Sequence, residues 1–231
     1  MHGEHLEVLY DEGHWKLFRS LRSSTIELMM AFEDANLLVI THGSVARGDV
    51  TISSDIDVFA EDPPSSFAVE TALETAGFRP EQRYVVQATP YYAMKGYIEV
   101  SDRQTVSFPL MRMRQVEREF YRFGGEISLE MLKEEKRVLG VDKRLMLIRP
   151  TEMGHVESSI VGREEAAARV LQISPNTVMD RVHALLRRDK IGRTGVFIKR
   201  ELRPDETFES ALKKLVETRP EVRRRLRAHD H

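Results

Sequence analysis

Cysteine is missing from all 231 residues. Disulfides, thiolate metal sites and cysteine nucleophiles are therefore excluded, and a metal here means oxygen ligands. Long apolar runs are missing too: no stretch approaches the roughly 20 residues that span a bilayer. The opening MHGEHLEVLYDEGH is polar and acidic, without the apolar core of a secretory signal. A soluble, cytoplasmic chain with no membrane partner is the expectation. A strong charge of either sign is also absent, the net value being −2, but the halves differ. Residues 1–150 hold 18 Lys+Arg against 24 Asp+Glu, and residues 151–231 hold 17 against 13. An acidic part followed by a basic one implies two different kinds of partner.

What is present suffices for packed cores, since 41% of residues are hydrophobic, and the length allows one large or two small domains. The stretch that organises the rest is Leu37 to Ala60, LLVITHGSVARGDVTISSDIDVFA. Leu37-Leu38-Val39-Ile40 reads as a buried strand that ends at Gly43-Ser44, where a missing Cβ lets a ligand approach the backbone. After ten further residues comes Asp55-Ile56-Asp57-Val58, in which strand alternation puts both carboxylates on one face and the two apolar side chains on the other. Paired carboxylates suit Mg²⁺, which takes hard oxygen ligands and sits between carboxylates and substrate phosphates; two such ions can clamp an in-line displacement. Asp55 and Asp57 are thus candidate catalytic metal ligands. Backbone N–H groups after Gly43, with the Ser44 hydroxyl, are candidates for the β- and γ-phosphates of an NTP. Arg47 either joins them or pairs with nearby Asp49. His42 reads as packed. The bland alternative is an ordinary turn at Gly43-Ser44 with Asp55 capping a loop and Asp57 on a solvated face.

The pattern Gly43-Ser44, ten residues, Asp-hydrophobic-Asp-hydrophobic resembles the signature of the DNA polymerase β superfamily of nucleotidyltransferases. The fuller form, GSVARGD followed by SDIDV, is similar to the minimal nucleotidyltransferases and the archaeal-type CCA-adding enzymes. The resemblance implies a mixed-sheet α/β (α+β) domain that uses two Mg²⁺ ions and an NTP. It also implies a third carboxylate on a later strand. Lining up Pro109 with the proline that ends that strand in the CCA-adding enzymes puts Val106 where their aspartate would be. Glu99, inside Tyr97-Ile98-Glu99-Val100, is the nearest substitute, either as catalytic ligand or base or as a solvated cross-strand residue.

Around the motif, Trp15 to Phe32 reads as a helix with Trp15 in the core, Phe67 to Ala76 as a helix closed by Gly77, and Tyr84 to Ala88 as a strand. Tyr97–Val100 and Thr105–Phe108 flank a hairpin turn. Arg112 to Phe123 reads as a helix whose Arg114, Arg118 and Arg122 either face a triphosphate or RNA or pair with Glu117 and Glu119. A short helix near Leu129 to Glu134 and a strand at Leu145 to Ile148 follow, and Pro150 marks a boundary.

Beyond it, Arg163 to Leu171, a turn at Gln172-Ile173-Ser174, and Pro175 to Arg188 have helix-turn-helix grammar, with Ser174 as N-cap and Pro175 at the first helical position. Val178, Val182, Leu185 and Leu186 would pack inward, leaving Asn176, Thr177, Asp180, Arg181 and Arg187 outside. Lys190 to Arg200 resembles the wing of a winged-helix domain, with Arg187, Arg188, Arg193, Lys199 and Arg200 available to a DNA or RNA backbone. The alternative is a small helical domain that packs on the first or dimerises. The tail PEVRRRLRAHDH reads as a basic helix or a frayed end.

The expectation is therefore a nucleotidyltransferase domain at 1–150 and a smaller winged-helix-like domain at 151–231. It transfers a nucleoside monophosphate to a hydroxyl on RNA, protein or a small molecule, and nucleic acid binds the second domain; an oligomer is compatible with this. The rival expectation is a DNA-binding regulator whose first domain only senses nucleotide.

Overall fold

The computed structural model describes residues 5–63, 65–192 and 195–228. In chain order the elements are β1 (Leu6–Leu9), α1 (Glu12–Met30), β2 (Val39–His42), α2 (Ser44–Arg47), β3 (Ile56–Ala60), α3 (Ser66–Thr75), β4 (Gln82–Gln87), β5 (Lys95–Ser101), β6 (Gln104–Pro109) and α4 (Gln115–Gly124). They continue as β7 (Glu126–Ser128), α5 (Leu129–Lys133), β8 (Gly140–Val141), β9 (Met146–Thr151), β10 (Gly154–Ser159), α6 (Glu164–Leu171), α7 (Pro175–Ile191), β11 (Ile198–Glu201), α8 (Phe208–Thr218) and α9 (Pro220–Arg227). The described residues fall into two compact units, one built from 5–27, 41–56 and 118–192, the other from 28–40, 57–63, 65–117 and 195–228.

The first unit carries an antiparallel sheet in the order β1-β10-β9-β8. Within it β9 and β10 form a hairpin whose register places Pro150 opposite His155. Pro150, where the sequence reading places a boundary, is inside this strand pair. Helices α6 and α7 pack in the same core, where Leu171, Val178, Val182 and Leu185 meet Phe123, Leu145, Leu147 and Ile160. The helix pair belongs to this unit, where its apolar stripe covers the β8–β10 region. Ser174 caps α7 as the spacing predicts, its hydroxyl accepting from the Asn176 N–H at 3.2 Å. Leu186, placed inward from the sequence, is exposed.

The second unit holds β11, β4, β5, β6 and the part of β3 from Asp57 onward, in that order. β4, β5 and β6 are antiparallel neighbours, and the β5–β6 hairpin closes with Ser101 opposite Gln104, where the sequence predicts a turn. One face is apolar. Ile98, Val106 and Phe108 are buried there, and Phe208 of α8 meets Phe108 edge-on at 4.9 Å between ring centres. Gly96 fits because a Cβ would come within 2.6 Å of the Phe108 ring and 2.9 Å of Phe208. Strand β11 pairs antiparallel with β4, Ile198 opposite Gln87 and Glu201 opposite Tyr84. The stretch read as a wing thus supplies, from Ile198 to Glu201, a strand at the edge of this sheet. Helix α9 is anchored rather than frayed, since buried Arg225 donates to the carbonyls of Tyr91 and Arg112 and to the Glu117 carboxylate.

No helix of the described residues is long and apolar enough to cross a membrane.

Candidate active site

Within the first unit, β2 ends at Gly43, whose φ of 83° an L side chain rarely adopts. Its N–H donates to the Gly125 carbonyl at 3.0 Å, and its own carbonyl accepts from Ala46 and Arg47, starting the single turn α2. No atom lies within 4 Å of where a Cβ would stand, so the missing side chain leaves open space beside the turn. Ser44 is half-buried, and its Oγ lies 3.0 Å from the Oγ of Ser54. Ser54 also accepts the Thr51 N–H at 2.9 Å. This bond brings the residue preceding Asp55 onto Ser44. The two ends of the motif are thus joined by a contact that sequence reasoning missed, although the Ser-rich approach to the strand was a visible source of hydroxyls.

Asp55 is exposed just before β3, and Asp57 is half-buried within it, while Ile56 and Val58 are buried, as strand alternation predicts. In the second unit the face that carries Asp57 is polar. Burial first, and then the negative charge of Asp57, push the Tyr97 phenol up to about 12. Tyr97 stacks parallel to Tyr84 with ring centres 5.2 Å apart. On the same strand as Asp57, Phe59 lies 5.6 Å from the Lys95 ammonium. Tyr97 and Lys95 were not singled out from sequence; both share the strand parity of Glu99, which was the available signal.

Glu99 itself lies on β5, and β6 intervenes between β5 and β3. Its carboxylate accepts the Tyr84 hydroxyl at 2.7 Å. β6, the strand beside β3, reads QTVSFP and has no carboxylate. No group of three or more His, Asp or Glu side chains able to hold a metal occurs among the described residues. Asp55 and Asp57 supply hard oxygens of the kind Mg²⁺ uses, and one or two carboxylates completed by substrate phosphates are its usual complement.

Arg47 takes the second of its two expected roles, the pairing with Asp49. It is buried, grips Asp49 through Nε at 2.9 Å and Nη2 at 2.8 Å, and donates Nη1 to the carbonyl of Gly124. His42 packs edge-on against Phe120 and Tyr121. The α4 arginines are ion-paired: Arg114 with Glu117, and both Arg118 and Arg122 with Glu126.

Of the residues proposed for nucleic acid, Asn176 and Arg187 are exposed and Arg188 half-buried on α7. Thr177 is corrected: it is buried and donates its hydroxyl to Glu119, whose carboxylate also accepts the Ser174 N–H at 3.0 Å. Arg181 lies with its guanidinium 4.7 Å over the Phe120 ring. Arg193 lies outside the described residues. In the second unit, Lys199 sits 4.4 Å over the Tyr84 ring and Arg200 pairs with Glu206.

A family model described as a nucleotidyltransferase domain matches residues 25–163. No curated protein and no solved structure matches the chain.

Proposed function

The chain belongs to the nucleotidyltransferase domain family, and on that premise we propose that it moves a nucleoside monophosphate from an NTP to a hydroxyl acceptor. The acceptor oxygen bonds to the α-phosphorus, the bond to the α,β-bridging oxygen breaks, pyrophosphate leaves, and the hydroxyl proton passes to water. The observation that carries this reading is the Ser44–Ser54 contact at 3.0 Å, which ties the open turn at Gly43 to the approach to Asp55. Gly43 leaves room for phosphate oxygens, and the following N–H groups with the Ser44 hydroxyl bind them. Asp55 and Asp57 hold a Mg²⁺ ion, which when bound neutralises charge on the phosphates. Glu99, engaged by Tyr84, orients that phenol rather than acting as base.

A second reading is favoured by the sequence of β6, which puts no carboxylate beside β3 to accept the acceptor's proton. In it the domain binds NTP without transferring it, and the exposed face of α7, with Asn176, Arg187 and Arg188, contacts DNA or RNA.

Calorimetry with NTPs, with and without Mg²⁺, on the wild type and on Asp55→Asn/Asp57→Asn tests the site. Tight Mg²⁺-dependent binding that the double change weakens by at least roughly a hundredfold is expected. Metal-independent binding, or none, would sink the two-carboxylate reading. Incorporation of label from α-labelled NTP into an acceptor then separates the transferase from the sensor.

A further inference from the structure

Helix α1 presents Trp15, Phe18, Arg22 and Ile26 along one stripe, with Arg19 and Ser23 beside them. Together with Leu132 of α5 and with Glu135 and Arg137 just after it, they line a cavity of about 500 Å³, all within the first unit. The site contains none of the motif residues.

Its walls are of two kinds. Trp15, Phe18, Ile26 and Leu132 are apolar, while Arg19, Arg22 and Arg137 bring three positive charges against the one carboxylate of Glu135. The guanidinium of Arg137 lies 4.9 Å over the Trp15 ring, and that of Arg22 lies 4.7 Å over Phe18. Arg137 donates Nη1 to the Gly154 carbonyl at 2.9 Å and Nη2 to the Thr151 carbonyl, so it brings charge to the wall, while the unpartnered N–H comes from Arg22.

Arg22 is the decisive residue because it is only 6% exposed. Its Nε donates to the Val45 carbonyl at 3.0 Å and its Nη2 to Ala46 at 3.2 Å, but its Nη1 is buried with no hydrogen-bond partner among the described residues. A buried, unsatisfied charged donor costs more than an ordinary lost hydrogen bond and calls for an acceptor. Burial, and then the neighbouring charge of Arg137, lower the Arg22 guanidinium to about 10. An anion in the cavity would relieve both.

We infer that this cavity binds a phosphate monoester carrying an aromatic ring. The excess of two positive charges matches a phosphate dianion better than a carboxylate, and planar guanidiniums match phosphate oxygens. The apolar wall takes the ring. Because Arg22 also holds the carbonyls of Val45 and Ala46, the ligand shares a guanidinium with the turn that starts at Gly43.

Trp15 is the sole tryptophan in the chain and lines the cavity, so its emission reports occupancy. Phenyl phosphate, with inorganic phosphate as the ringless control, is titrated into the full-length wild type and into two variants that leave the Arg22 bonds to α2 in place. Arg19→Glu inverts a charge at an exposed position, and Ser23→Phe fills the rim. A saturable change in emission is expected with phenyl phosphate. Its midpoint should rise at least roughly tenfold in each variant, and inorganic phosphate should bind at least roughly tenfold more weakly. Absence of saturation in the wild type, or an unchanged midpoint in both variants, overturns the site. Equal binding of inorganic phosphate overturns the aromatic part of the assignment.

Discussion

At Arg47 the protein's own groups engage the donors that a bound phosphate would need. Asp49 takes Nε and Nη2, and the Gly124 carbonyl takes Nη1. The pairing with Asp49 was legible two residues along the chain. The carbonyl, 77 residues away, was not, because it becomes a neighbour only when the first unit closes. Arg47→Met would leave the Asp49 carboxylate in place without its partner, and the expected loss of stability in denaturant unfolding is about 3 kcal/mol. An effect confined to NTP affinity, with stability unchanged, would return Arg47 to the phosphates. Glu99 teaches the converse lesson. Its strand and parity were read correctly from apolar alternation, but alternation does not say which strand will be its neighbour, and β6 rather than β3 lies beside it.

Among the elements, those with strong local punctuation were the legible ones. Helix α7 begins at Pro175 behind its Ser174 cap, and the β5–β6 turn closes where it was placed. The strands β1, β7, β8 and β10 escaped because each is short, of two to six residues, and too brief to show a period. Strand β11 was seen as apolar with basic ends, but which sheet it joins is a tertiary matter, and β4 is its partner. In native-state hydrogen exchange, β11 amides are expected to be protected and to exchange together with those of β4 as denaturant is added. Exchange at unprotected rates would return β11 to a solvated wing.

For the whole molecule, acid is the informative perturbation, because each unit holds a carboxyl well below its ordinary value. In the first, burial would raise Glu157, but hydrogen bonds from Arg144 outweigh it and lower the group. In the second, hydrogen bonds from Arg200 and then Lys214, each at 2.8 Å, pull Glu206 from 4.5 to about 2. A carboxyl whose folded pKa is depressed contributes stability that is complete above its unfolded value and lost as pH falls through its folded one. The unfolding free energy from urea titration should therefore fall as pH drops from about 4.5 toward 2, and Glu206→Gln should lower it at pH 6 by about 1 kcal/mol while reducing that fall. A Glu206→Gln chain with the same acid slope as the wild type would show that Glu206 does not carry it.

By itself the sequence determined the local chemistry: a glycine turn with a hydroxyl, two carboxylates on one side of a strand, a capped helix pair, and no thiols, each set by backbone preference or by a spacing of a few residues. Only the tertiary structure decided which of these groups meet. Ser44 finds Ser54, Arg47 is consumed by Asp49 and a distant carbonyl, and Glu99 is given to Tyr84. It also set the organisation of the molecule, building each of two compact units from separated segments of the chain. The physical reason is that burial and hydrogen-bond satisfaction are requirements on volumes and partners, and partners far apart in sequence become neighbours only in the folded chain.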